Sequence, residues 1–330
     1  MAASGKITSP SKRPSEGLQR AAEKARIFAE LSRSANTRRA YKASWTDFEA
    51  WCEHEGLESL PAHPETVVLY VSDCAEKLRL GTIGHRLAAI ATAHKLAGFS
   101  NPASRREEPL RSIWQGMSRS KGSRKVQKEP LLKKHLEAIV ENLDHEGLSD
   151  ANWLRCARDK ALLLVGFAGA FRRSELSEMK VADLRFDDRG VQILVERSKT
   201  DTTGEGQWVG VPSTGTELCP VRALREWLQV AGIDDGNVFR SIRHGPEVLD
   251  TMSTRTIANT IKKLADQVGL DPALYSGHSL RAGLITQAAQ AGVAEVDIMR
   301  QSRHRSVPVL RQYVRKANVW KDNAAVAALG

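Results

Sequence analysis

Apolar residues recur at helical spacing along most of this chain and alternate over only one short stretch. In TRRAYKASWTDFEAWCEHEG, Tyr41, Trp45, Phe48 and Cys52 fall three to four residues apart, and Ala35, Asn36 and Thr37 offer a cap before them. Pro61 and Pro64 open PETVVLYVSDCAEKL, Gly81 separates it from TIGHRLAAIATAHKLAG, and REEPLRSIWQGMSRS follows Pro102. Four short helices of this kind predict a compact all-α unit of about 90 residues, with the aromatic stripe as its core.

Periodicity stops at SRSKGSRKVQK, residues 118–128, which hold five basic residues and a glycine and mark the best domain boundary in the chain. The expected organisation is a disordered basic tail over 1–19, a helical domain over 20–117, a linker over 118–128 and a second domain over 129–330. That second domain opens with helices around LLKKHLEAIVENL and ANWLRCARDKALLLVGFAGAF. The latter is apolar enough to be buried, yet it runs into Arg172, Arg173, Ser174 and Glu175. A cation there has two readings: a favourable charge at a helix C-terminus, or an anion site whose arginine is held by Glu175. Val191, Ile193 and Val195 then alternate, a polar turn holds Gly204 and Gly206, and Trp208, Val209 and Val211 follow, a β-hairpin pattern with Lys199 at its turn. A helix at CPVRALREWLQVAG, a short strand at NVFRS and a helix at STRTIANTIKKLADQVG complete a fold that is mainly α with a small β-sheet.

Composition narrows the class. The 330 residues are 41% hydrophobic, enough for two cores, and 49 Lys and Arg against 39 Asp and Glu leave a net charge of +10. Through Lys128 there are 22 basic and 13 acidic residues; from Glu129 onward, 27 and 26. The excess therefore lies in the N-terminal part, which fits a polyanionic partner or a solvated basic surface. Arg38, Arg39 and Lys42 on one helix, with His85 and Arg86 on another, either lie against a duplex or are charges on solvated faces. Cys52, Cys74, Cys156 and Cys219 show no C-x-x-C spacing and read as reduced, buried thiols. With no apolar run near the roughly 20 residues of a membrane span and no signal peptide, the expectation is a soluble, cytoplasmic protein. The SPSKRPS start reads as a flexible basic tail or a nuclear address.

The densest chemistry lies in YSGHSLRAGLITQAAQAGVAEVDIMRQSRHRSVPVLRQYVRK, residues 275–316. His278 and Arg281, three apart, share a helix face and can address one ligand, for which an anion is the natural candidate. His304 and Tyr313 follow, nine residues apart. No carboxylate or His/Cys cluster with metal-ligand spacing accompanies them, so no metal and no other cofactor is expected, and a two-metal nuclease is disfavoured.

Taken together these residues resemble the tyrosine recombinase (phage integrase) family. G-A-F-R-R-S-E-L is similar to its first arginine box, with the offset to Glu175 selecting Arg172 over Arg173; R-S-K-T resembles its hairpin lysine at Lys199, with Lys180 and Arg197 as nearby alternatives. G-H-S-L-R matches its H-x-x-R box at His278 and Arg281, His304 its second His or Trp position, and Tyr313 its nucleophile. S-G-H-S-x-R, A-G-V-x-x-x-x-I-M and S-T-R point within it to the Cre-type members, and the resemblance spans about residues 20–325.

The resemblance implies a helical, SAM-like core-binding domain and an α+β catalytic domain closing as a C-clamp around DNA. It implies site-specific recombination through a 3′-phosphotyrosyl intermediate, without metal or ATP. Arg172 and Arg281 would bind the phosphate, Tyr313 attack, His278 take its proton, Lys199 protonate the 5′-oxygen, and His304 bind phosphate or assist proton transfer. Arg255, with Ser253 and Thr254, would contact bases; segment 317–330 would dock in a neighbouring protomer. The implied partner is double-stranded DNA with an inverted-repeat site, bound by a homotetramer that is a monomer or weak oligomer when free. A type IB topoisomerase, a telomere resolvase and a catalytically inactive DNA-binding protein are the alternatives.

Overall fold

The computed structural model describes residues 35–121, 128–143, 149–196, 206–243 and 245–317, with side chains through Tyr313 at the C-terminal end. The chain divides into two compact units between residues 125 and 126. The first contains α1 (Ala35–Glu55), α2 (Pro64–Lys77), α3 (Leu80–Leu96) and α4 (Leu110–Lys121). Pro64 stands in the first turn of α2, where its missing N–H costs nothing. Phe48 and Cys52 of the predicted stripe are buried with Val67, Tyr70, Val71, Ile83, Leu87 and Ile90, while Trp45 packs at the edge. Residues 118–121, expected in the linker, continue α4.

The second unit contains α5 (Lys133–Leu143), α6 (Asp150–Ala168), α7 (Arg173–Glu178), a 3₁₀ turn (Val181–Asp183), β1 (Leu184–Asp187), β2 (Gly190–Val195), β3 (Gln207–Pro212), α8 (Pro220–Val230), α9 (Thr254–Gln267), a second 3₁₀ turn (Pro272–Leu274), α10 (His278–Gln290), α11 (Glu295–Ser302) and α12 (Val307–Ala317). The strands form an antiparallel sheet in the order β1-β2-β3, with Val191 opposite Val211 and Ile193 opposite Val209. The expected hairpin is present, and β1 is an addition to it. NVFRS is not a strand: Asn237 makes an isolated bridge with Lys180, and Val238 donates to the Met179 carbonyl. Too few ladder bonds form there to extend a strand, although Val238 and Phe239 are fully buried.

Helix α6 is the centre of this unit. Ala161, Leu162, Leu163, Leu164 and Val165 are all essentially inaccessible, as expected of a helix apolar on every side. It packs against α8 and α10, where Gly166 of α6 makes room for a leucine side chain and Gly283 of α10 lets the backbone at Leu131 come close. A β-carbon on Gly166 would lie 2.6 Å from Leu280, and one on Gly283 only 2.0 Å from the Leu131 carbonyl oxygen. A smaller cluster of Ile285, Ala289, Ile298 and Leu310 joins α10, α11 and α12. Among the described residues no helix is long and apolar enough to cross a membrane.

Gly283→Ala must therefore move backbone rather than a flexible side chain. We expect it to lower stability by about 1–3 kcal/mol, read as a reduced urea midpoint; an unchanged midpoint would mean that the α10–Leu131 contact gives way freely.

Candidate active site

The site forms where α6 ends. The chain turns sharply at Ala170, whose φ of 46° is left-handed, and Arg172 then caps α7 in extended conformation. Its backbone N–H donates to Glu175 Oε2 at 2.8 Å and its Nη1 to Glu175 Oε1 at 2.6 Å. Arg173 is exposed, with its side chain against Gly277 rather than on Glu175. The offset to Glu175 thus selects the arginine that the carboxylate holds.

Arg172 is not the cation at the end of the buried helix. Those are Arg281, whose Nη1 donates to the Ala170 carbonyl at 2.8 Å, and Arg303, which donates to Gly169 at 3.0 Å and Ala170 at 3.2 Å. Arg303 also reaches Glu175 Oε2 at 2.7 Å, so the carboxylate serves two arginines. Burial alone would raise the Glu175 pKa, but Arg303 and Arg172 outweigh it and hold the carboxyl below its ordinary value. Sequence reasoning passed over Arg303; the only signal was its place beside His304.

His278 opens α10, and Arg281 lies one turn later, 1% exposed. Burial, then Arg172 and Arg303, lower the Arg281 pKa to about 9, so it remains protonated at neutral pH. Its Nη2 lies 3.1 Å from His304 Nδ1, which also meets Ser302 Oγ at 2.8 Å. The same Nη2 lies 3.5 Å from His304 Nε2, and the Ser302 hydroxyl donates to the Ile298 carbonyl at 2.6 Å, so the His304 ring is held between a guanidinium and a hydroxyl. Tyr313 comes in from α12, half-buried against the small cluster, and its hydroxyl is 2.7 Å from His278 Nε2. Burial raises the Tyr313 pKa against the pull of Arg281. The His278 pKa is lowered by burial, then by Arg281 and Arg172, leaving a neutral ring able to accept the phenol proton.

Five of the six expected catalytic residues therefore converge, together with Glu175. Lys199 lies outside the described residues, as does its alternative Arg197; Lys180 is exposed at the start of the first 3₁₀ turn. Ser253 caps α9 by accepting from Thr256 N at 3.0 Å, Thr254 is the first residue of that helix, and Arg255 is exposed beside it. In the first unit Arg38, Arg39 and Lys42 are exposed on α1, with Arg39 bonded to Asn36. His85 contacts Ser44 and the Tyr41 ring. Arg86 is engaged within its unit: it donates to Asp47 at 2.8 Å, Tyr70 at 2.9 Å and Cys74 at 3.1 Å.

Burial first, then Arg281 and Arg172, hold His304 down to about 3, against an ordinary 6.5. As pH falls from 6.5 to 3 the unfolded chain takes up a proton that the folded site refuses, so His304 subtracts stability across that window. The wild-type chain should lose more stability on acidification over this range than His304→Gln, followed by urea midpoints at stepped pH; parallel losses would contradict the assigned environment.

A model of the phage integrase family matches residues 129–319. The chain is 40% identical to the integrase/recombinase xerD homolog of Selenomonas ruminantium, over 94% of this chain and 90% of that protein. It is 25% identical to recombinase cre of Escherichia phage P1, over 87% of this chain and 84% of that one. Among solved structures, a Tn1549 transposon integrase in complex with transposon right end DNA superposes with a TM-score of 0.60, covering 88% of this chain and 92% of that chain at 13% identity, a likeness of fold. The chain belongs to the phage integrase family, the tyrosine recombinases.

Proposed function

We propose that this protein is a site-specific DNA recombinase that cuts and rejoins strands through a covalent bond between Tyr313 and a 3′-phosphate. The observation that carries the reading is the 2.7 Å contact of the Tyr313 hydroxyl with His278 Nε2 beside Arg281 and His304, completed within one chain. A phenol has a pKa near 10, so only about 0.1% is ionised at neutral pH, and the neutral His278 supplies the acceptor. Tyr313 Oη attacks phosphorus as its proton passes to His278; the bond from phosphorus to the 5′-oxygen breaks, and Lys199 gives that oxygen a proton. Negative charge growing on the non-bridging oxygens meets the forks of Arg172 and Arg281, with His304 beside them. The phosphotyrosyl bond keeps the phosphodiester energy, so a 5′-hydroxyl from another strand reverses the sequence without ATP.

The partner in this reading is double-stranded DNA carrying an inverted repeat, with each unit supplying contacts to it. Arg38, Arg39 and Lys42 contact backbone phosphates, and the exposed Arg255 meets a guanine through O6 and N7. Recombination proceeds in a homotetramer in which segment 317–330, largely outside the described residues, docks on the neighbouring protomer. The enzyme works on cytoplasmic, nucleoid DNA.

The test is detection of covalent adducts on denaturing gels after incubation with sheared DNA of the source organism, with sequencing of the junctions. The wild-type chain should give adducts at one recurrent inverted repeat, and Tyr313→Phe none. Arg172→Lys and Arg281→Lys should each slow adduct formation about 10²–10³-fold, the range for losing one well-placed oxyanion donor. Adducts that persist in Tyr313→Phe would move the nucleophile elsewhere; DNA binding without adducts from the wild type would favour a binding protein.

A further inference from the structure

Arg303 carries three costs at one position. It adopts a left-handed conformation, with φ of 56°, that side chains rarely take. Its charge is desolvated, the side chain being 2% exposed, and its Nε is the buried side-chain nitrogen among the described residues that has no hydrogen-bond partner. The left-handed backbone would burden any residue with a β-carbon, but an apolar side chain of similar size over Phe171 would avoid the other two costs, and the Gly169 and Ala170 carbonyls that Arg303 serves need a donor, not this buried charge. What Arg303 does have is Glu175, 128 residues earlier in the chain, at 2.7 Å.

We propose that Arg303 is a positioning residue that acts through Glu175: it balances the carboxylate so that Glu175 holds Arg172 in place without cancelling the positive charge Arg172 presents to phosphate. The charge count makes the point. Glu175 binds the Arg172 backbone N–H and Nη1, which fixes the guanidinium. A carboxylate so close to Arg172 would by itself neutralise it and leave Arg281 as the lone uncompensated cation. With Arg303 on the opposite side of the same carboxylate, three guanidinium charges face one carboxylate, and two positive charges remain for the phosphate. The Glu175 oxygens divide the work: Oε1 faces Arg172, while Oε2 is shared between the Arg172 backbone and Arg303.

This inference rests on the reading of Arg172 as a phosphate-binding residue. The experiment compares rates of Tyr313 adduct formation on the sheared DNA pool for the wild-type chain, Arg303→Met, Arg303→Lys and the double variant Glu175→Gln/Arg303→Met, with thermal unfolding of each. Arg303→Met should slow the adduct about 10²-fold, and adding Glu175→Gln should recover at least tenfold of that loss, because glutamine still accepts from Arg172 without carrying charge. A purely structural arginine would give a double variant as slow as the single one. Arg303→Lys, which keeps the charge, should stay within about tenfold of wild type and decides the matter if the methionine variants do not unfold cooperatively.

A wild-type adduct formed equally fast by folded Arg303→Met overturns the inference alone. So does a folded double variant with no recovery, or a folded Arg303→Lys slowed about 10²-fold. No adduct from the wild type overturns the recombinase reading and this inference with it.

Discussion

The second unit depends on how the last carbonyls of a buried helix find donors. Helix α6 runs through the middle of the core; its Val165, Gly166 and Phe167 carbonyls accept from the N–H groups of Gly169, Phe171 and Ala170, which leaves Ala168 and the two carbonyls just beyond the helix to find other donors. The Ala168 carbonyl receives Gln301 Nε2 at 2.8 Å, Gly169 receives Arg303, and Ala170 receives both Arg281 and Arg303. Each donor comes from a later element, so satisfying one helix end brings α10 and the end of α11 to the same point. Gln301 also reaches the Gly210 carbonyl at 3.0 Å, which ties β3, and with it the hairpin, to that junction. The negative end of the α6 dipole favours the two cations it attracts. A requirement of burial therefore builds an electropositive floor.

That floor is under electrostatic tension. Arg172, Arg281 and Arg303 surround one carboxylate, and the excess charge shows in the neighbours: Arg281 is held at about 9 and His304 at about 3, both by burial and then by the arginines. A phosphodiester entering this space brings the charge that relieves the repulsion, and more of it as the transition state forms. Donors already fixed by backbone carbonyls need little reorganisation at that moment, which is the condition under which they contribute most to rate. Neutral histidines follow from the same field. In the proposed reaction His278 keeps a lone pair for the Tyr313 proton, and His304 stands beside the phosphate without adding a fourth positive charge.

The helical periodicity and the H-x-x-R spacing were legible because both are local: each needs only a few neighbouring residues to be recognised. The Arg172 choice was also local, since Glu175 lies within one turn. Arg303 was not, because its meaning comes from carbonyls and a carboxylate more than 120 residues away. β1 escaped for a different reason: Arg185, Phe186 and Asp187 are all exposed, so the strand has no inward-outward alternation to betray it. NVFRS erred in the opposite direction, since its buried Val238 and Phe239 imitate a strand without the bonds of one. The partner of Arg86 was equally out of local reach, since Asp47 lies on another helix of the first unit.

Tyr313, the proposed nucleophile, is held differently from Arg281 and Arg303. Arg281 and Arg303 are fixed by buried, charge-assisted bonds to carbonyls, the kind worth about 1.5–3 kcal/mol each. Helix α12 is anchored on α10 and α11 by Leu310 and part of Tyr313, in a cluster of only a few apolar side chains. Its ion pair from Arg311 to Glu295 at 3.1 Å is largely exposed, and such pairs contribute about 0–1 kcal/mol. A change in what touches α12 therefore displaces Tyr313 more readily than it displaces the arginines. For the proposed reaction, which must run forward on one strand and backward on another, this division is useful: the phosphate site stays constant through both directions, while the position of Tyr313 is left to contacts on α12.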